Sequence, residues 1–311
     1  MTTSDSASSL GTRVSREAAV PDGHSFALCL THDVDRPYKT YQGPYYAVTE
    51  RDPSHLRSLL PGVNPYWSFE AIAALEDDLG VRSAFYFMDE QRLFGDRPVA
   101  EWLDPDGWQR YVGRYAIDDP AIVRAMRELD AGGWEVGLHG SFESFDDRDR
   151  LRTEKHRLES LLGHSVRGGR QHHLNLAVPE TWEHHAALGL RYDSTLGSSD
   201  AYGFDHGYRP FRPFDDAFVE FPLTLMDVAL PDVAADPARA EEACESLLRE
   251  AAENGAVMTV LWHPRYLGDD HPEHVALYRD LIRQAQELGA WVGPPSELYK
   301  RYGSETGEPS P

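Results

Sequence analysis

Short apolar runs alternate with longer stretches of helical period along this chain, and that order limits the fold more than any other feature of the sequence. The runs are SFALCL (25–30), SAFYFM (83–88), WEVGL (134–138), GLRYDS (189–194), AFVEFP (217–222) and AVMTVLW (256–262). Their length and apolar content predict strands. The spacing between and around them predicts helices over 68–79, 119–131, 149–162, 179–188, 236–253 and 272–288, several preceded by Pro or Asp and ending near Gly. Repeated strand-then-helix order favours a parallel sheet with helices outside it, either doubly wound or closed as a barrel. Periodicity does not choose between the two.

A chain of 311 residues can bury one large core. One domain is expected over 23–302, between a flexible Ser/Thr-rich segment at 1–22 and a flexible tail at 303–311 (GSETGEPSP). The first twenty or so residues hold no apolar run long enough for a signal peptide or membrane span, so a cytoplasmic protein is expected. The stretch from Pro37 to Pro65 is too long for a plain connection and is expected to decorate the mouth of a site. Cys29 and Cys244 read as small buried hydrophobes, which excludes a disulfide framework and a cysteine zinc site. Fifty-two acidic against thirty basic residues give a formal charge of -22. A surface of that sign repels polyanions, so nucleic acid is not an expected partner.

The chemistry gathers where the runs end. In LTHDVDR, Asp33 and Asp35 lie two apart and so project from the same face of an extended chain. Two crowded carboxylates need a cation or a shared proton to offset their repulsion. His139 ends the run in GLHGS, His263 ends the run in LWHP, Arg170 and His172 follow a short strand-like stretch in GGRQHHLN, and Asp193 closes GLRYDS. In parallel α/β folds the carboxyl ends of the strands form one face, so these residues should converge although far apart in sequence. Carboxylates, imidazoles and a guanidinium on one face suit a divalent-metal hydrolase. Trp67, Trp102, Trp108, Trp182, Tyr45, Tyr46, Tyr202 and Tyr208 are aromatic candidates for stacking on a sugar, though packing is the commoner use of such residues. His184, His185, His271 and His274 are expected at the surface.

THDVD (31–35), LHGS (138–141), RQH (170–172), YDST (192–195) and LWH (261–263) stand in an order that resembles the motif series of the polysaccharide deacetylases of the NodB-homology type, in particular a divergent group with HDVD near the start. The resemblance spans roughly residues 24–300 and implies an irregular, incomplete (β/α) barrel. It implies that Asp33 is the general base, Asp35 and His139 are metal ligands, Arg170 orients Asp33, and His263 is the general acid. The implied activity is metal-dependent removal of an acyl group from an amino sugar or small amide, with zinc as the expected ion. The family pattern has a second histidine four residues after the first, whereas here that position is Glu143. His172 and Glu143 therefore compete as third ligand, and His172 is preferred because one carboxylate with two imidazoles is a common catalytic set. Two other readings are a carbohydrate-binding protein that has lost catalysis and a barrel glycosidase using Asp33 and Asp35.

Overall fold

The computed structural model describes residues 10–39, 42–49, 51–215 and 217–303. Eleven strands join one sheet: β1 (Thr12–Arg13), β2 (Phe26–Val34), β3 (Ala84–Met88), β4 (Glu135–Gly140), β5 (Gly168–Gln171), β6 (Tyr192–Asp193), β7 (Phe211–Arg212), β8 (Val219–Glu220), β9 (Leu223–Met226), β10 (Val257–Leu261) and β11 (Ala290–Gly293). Their order is β1-β7-β8-β6-β5-β4-β3-β2-β10-β9, with β11 also pairing β2. Every pairing from β8 through to β9 is parallel, and only β7 runs antiparallel to its neighbours β1 and β8. The two ends of the order, β1 and β9, do not meet. The result is the irregular, incomplete (β/α) barrel that the motif series implied.

Strand parity divides the molecule. On β2, Phe26, Leu28, Leu30 and Val34 face outward and join Phe85, Phe87, Leu138, Met258, Val260 and the apolar stripes of the surrounding helices in the main core. The alternate residues Ala27 and Cys29 face inward, where they meet Ala84, Tyr86, Tyr192, Phe221 and Val257. Helix Pro295–Gly303 closes the lower end of this inner space with Leu298, Tyr299 and Tyr302. Each such aromatic or Leu side chain removed from water contributes about 1.5–3 kcal/mol. Continuing the same inward parity upward gives Thr31, Asp33 and Asp35, so the apolar filling stops where the carboxylates begin.

The predicted helices appear at Phe69–Leu79, Pro120–Ala131, Arg148–Leu162, Glu180–Ala187, Pro237–Asn254 and Pro272–Glu287. Their ends follow from local chemistry: Asp119 accepts the Ala121 amide and Asp236 the Arg239 amide, each just ahead of a proline in the first turn. Glycine is required in β5, because a Cβ on Gly168 would strike the Tyr192 ring and one on Gly169 the Leu138 carbonyl. That close approach lets β4, β5 and β6 pack tightly enough to aim Arg170 inward.

Part of the segment expected to be flexible at 1–22 is ordered. Within it, β1 pairs with β7, and Val14, Ala19 and Val20 are buried against the inner cluster that includes Tyr302. Their apolar side chains cover the lower end of the sheet, which a free segment would leave exposed. Residues 1–9 and 304–311 lie outside the described residues.

Candidate active site

Parallel register brings the motif residues to one level. Leu261 pairs with Thr31, Met88 with His139, and His139 with Arg170, so residues at or just past these positions share the upper rim. There a cavity of ≈ 260 Å³ opens, and Asp33, Asp35, His139, His172 and His263 all line it. Arg170 stands directly behind it. All six residues singled out as catalytic or metal-binding are thus brought together, and all are buried.

Arg170 is fixed on three sides. Its Nη1 donates to Asp33 Oδ1 and to Thr31 Oγ1, both at 2.9 Å, while Nε and Nη2 donate to the carbonyl and hydroxyl of Ser194. Asp33 is therefore held by one oxygen, and its Oδ2 points toward His139 Nε2 at 3.8 Å. His139 Nδ1 donates to the Arg170 carbonyl at 2.9 Å, which fixes the tautomer and presents Nε2 to Asp35 Oδ1 at 3.1 Å. His172 Nε2 lies 3.7 Å from the same oxygen. Just past His172 the chain turns through two consecutive left-handed residues, His173 (φ 57°) and Leu174 (φ 53°). Such conformations cost about 1–2 kcal/mol each without glycine, and both residues line the cavity.

Asp35, His139 and His172 each offer a ligand atom, and these atoms lie within 4.8 Å of one another. One carboxylate and two imidazoles, with room for water, fit a catalytic divalent ion such as zinc. The charge states of Asp35 and His172 suit it. Burial would raise Asp35, but the hydrogen bond from His139 and the nearby His172 and His263 rings outweigh it and hold the carboxyl well below its usual range. Burial opposes charge on His139, yet Asp33 and Asp35 outweigh it and raise that ring. Burial, reinforced by Arg114, pushes His172 well below the ordinary imidazole value, leaving the neutral form that coordinates a metal. Glu143 is engaged elsewhere: it accepts from Tyr111 at 3.0 Å and from Arg150 at 2.8 Å, and it is not part of the triad.

Across the cavity, His263 Nδ1 donates to Asp227 Oδ1 at 2.8 Å, and its backbone amide binds Asp227 Oδ2. Its Nε2 then faces Asp35 Oδ2 at 3.4 Å. Burial would raise Asp227, but His263 and Arg265 outweigh it and keep the carboxylate below its usual range. The sequence reading missed Asp227. Its signal was present in LTLMD, a four-residue apolar run ending in a carboxylate, but β9 is too short to stand out. Arg36, Arg114 and Arg265, which also line the cavity, were missed as well.

Two expectations are corrected. Asp193 ends a strand but does not join the cluster: Tyr192 takes the inward position, so Asp193 faces the other way, accepts from Thr195 Oγ1 and lies 3.5 Å from His185 Nδ1. His185, expected at the surface, is 1% exposed and accepts from Gln171 Nε2 at 2.8 Å. Among the described residues no aromatic candidate for sugar stacking lines the cavity, and Trp182 is in the core.

No family model and no curated protein matches the sequence. Solved structures do match the fold. The chain is similar, at TM-score 0.61 and 21% identity over 96% of both chains, to a protein from Mycobacterium smegmatis assigned as a polysaccharide deacetylase. A protein from Pseudomonas aeruginosa with the same assignment matches at TM-score 0.60 and 14% identity over 94% of this chain and 95% of that one. The allantoinase PuuE matches at TM-score 0.56 and 13% identity, over 94% and 95%. The chain has the polysaccharide deacetylase type of fold, and it carries a candidate metal triad at the carboxyl ends of its strands. No described helix is long and apolar enough to cross a membrane.

Proposed function

We propose that this protein is a metal-dependent hydrolase that removes an acyl group, most simply acetyl, from an amino sugar or a related small amide. The observation that carries the reading is the meeting of a metal-type donor triad with two proton carriers that are each oriented by a separate buried partner. Asp33 is held by Arg170, and His263 is held by Asp227.

Asp35, His139 and His172 would hold the ion. When bound, a divalent cation supplies Lewis acidity to the acyl oxygen and makes water a stronger acid. Asp33 accepts the proton of the attacking water on Oδ2, the oxygen Arg170 leaves free, because the guanidinium occupies Oδ1. The amine that departs must be protonated as the C–N bond breaks. His263 supplies that proton from Nε2, since its Nδ1–H is committed to Asp227, and the buried Asp227 carboxylate stabilises the imidazolium before transfer. Leu174, Met226 and Leu261 form an apolar wall of the same cavity and suit the acyl methyl group.

A glycosidase needs one carboxylic acid kept protonated. Asp35 is held well below the carboxylate range and Asp33 carries a guanidinium, so neither is arranged as that acid. A binding protein has no use for an Asp227–His263 pair aimed into the cavity. The test is acetate release from N-acetylated amino sugars and small amides, with and without chelator. Release that stops in chelator and returns with a divalent metal supports the reading; unchanged release in chelator, or none from any amide, overturns it.

A further inference from the structure

The outside of this protein is strongly acidic, yet its cavity is not. Three guanidinium groups, Arg36, Arg114 and Arg265, line it against two carboxylates, Asp33 and Asp35. Both carboxylates are already engaged, Asp33 by Arg170 at 2.9 Å and Asp35 by His139, His263 and Arg265, the last at 3.5 Å. Arg114 is only 9% exposed, and among the described residues no carboxylate oxygen lies within 4.0 Å of it. Its donors go instead to the carbonyls of Arg110 and Asp35 and to His172 Nε2 at 3.2 Å.

Metal occupancy sharpens the imbalance. A cation held by Asp35 would add positive charge, and coordination by His172 through Nε2 would take the lone pair that Arg114 now binds. A buried guanidinium that loses an acceptor is costly unless another replaces it. The planar fork of arginine matches carboxylate and phosphate oxygens. We propose that the substrate carries an anionic group, a carboxylate or a phosphate, and that Arg114, Arg265 and Arg36 bind it beside the amide to be cleaved. At ≈ 260 Å³ the cavity lies below the usual range for drug-sized ligands, so the substrate class is a small N-acylated sugar acid or sugar phosphate.

This inference rests on the hydrolase reading, and one experiment separates the two. Zinc-loaded protein is titrated calorimetrically with N-acetylglucosamine, N-acetylmuramic acid and N-acetylglucosamine 6-phosphate, and acetate release is followed in parallel. At least one anionic probe should bind about tenfold or more tighter than the neutral sugar, the change one charge-assisted hydrogen bond supplies. Which anionic probe wins identifies carboxylate or phosphate. Arg114→Gln, and the less buried Arg265→Gln and Arg36→Gln, should each reduce anionic-probe affinity more than neutral-sugar affinity, shrinking that advantage. Equal affinities, no binding by either anionic probe, or an advantage that survives all three substitutions overturns the inference. Anion-selective binding with no acetate from any probe overturns the hydrolase reading alone, and equal acetate release from neutral and anionic sugars overturns the anion site alone.

Discussion

Strand β2 carries two buried polar clusters on its opposite faces, and they are built to different ends. On the outer face, His32 donates to the Trp262 carbonyl and meets Glu76 at 3.1 Å, while Glu76 also accepts from Trp134 at 2.7 Å and Tyr278 at 2.8 Å. That network closes on itself, with each carboxylate oxygen and ring nitrogen bonded within the protein. On the inner face, Asp33 Oδ2 and His263 Nε2 face a cavity, and His172 Nδ1 is buried without a hydrogen-bond partner. The outer cluster spends its polar groups on holding helices to the sheet; the inner one keeps them available. Buried groups left open in a cleft mark a functional site where closed ones mark architecture.

Substitutions on the two faces should therefore separate activity from stability. The largest effect is expected for Asp33→Asn, which keeps the shape but cannot accept a proton. Turnover should fall by on the order of 10⁴-fold, with metal content preserved; loss of metal along with activity would make Asp33 a ligand. His263→Ala should slow turnover by about 10²–10⁴-fold, and Asp227→Asn by a smaller factor in the same direction. A near-normal rate of His263→Ala on an amide would return that residue to a structural role.

Glu76→Ala on the outer face should do the reverse. Leaving His32, Trp134 and Tyr278 without their shared acceptor should cost about 3–5 kcal/mol, read from urea unfolding, while the folded enzyme keeps its metal and its specific activity. A loss of kcat without a loss of stability would break the division drawn between the faces.

Glu154 sharpens the comparison with the smallest effect. It lies beneath the end of β4, accepting from the Ser141 amide and Arg150, and burial pushes its carboxyl up to about 7. The folded state thus favours the protonated form. Its contribution to stability is complete below the unfolded value near 4.3 and fades as pH rises through about 7, by roughly 1–3 kcal/mol. Glu154→Gln should flatten that slope between pH 4.5 and 7.5, and an unchanged slope would contradict the assignment.

The inner cluster was readable in the sequence because parallel strands deliver their carboxyl ends to one face, so a residue type recurring at run ends was enough. Asp33, Asp35, His139, Arg170, His172 and His263 all obey that rule. It failed at Asp193, where the two residues of β6 give no parity to read and Tyr192 holds the inward position. It also missed Asp227, whose strand is four residues long, and the cavity arginines, which sit in connections (Arg36, Arg114) and a single 3₁₀ turn (Arg265), where no period applies. Arg114 reaches the site from a connection after helix Pro105–Tyr111, and only the folded chain shows that approach. The six predicted helices were placed to within a residue or two because Asp-Pro starts and Gly ends state their limits locally, whereas Gln42–Thr49, Pro105–Tyr111 and Pro295–Gly303 were not foreseen.

Metal analysis of two purified variants tests whether Asp35, His139 and His172 form a metal site. His172→Ala removes an imidazole from the triad, whereas Glu143→Ala removes a carboxylate already bound to Tyr111 and Arg150. The first should lose stoichiometric zinc and the second retain it. Full metal in His172→Ala together with its loss from Glu143→Ala would contradict this assignment.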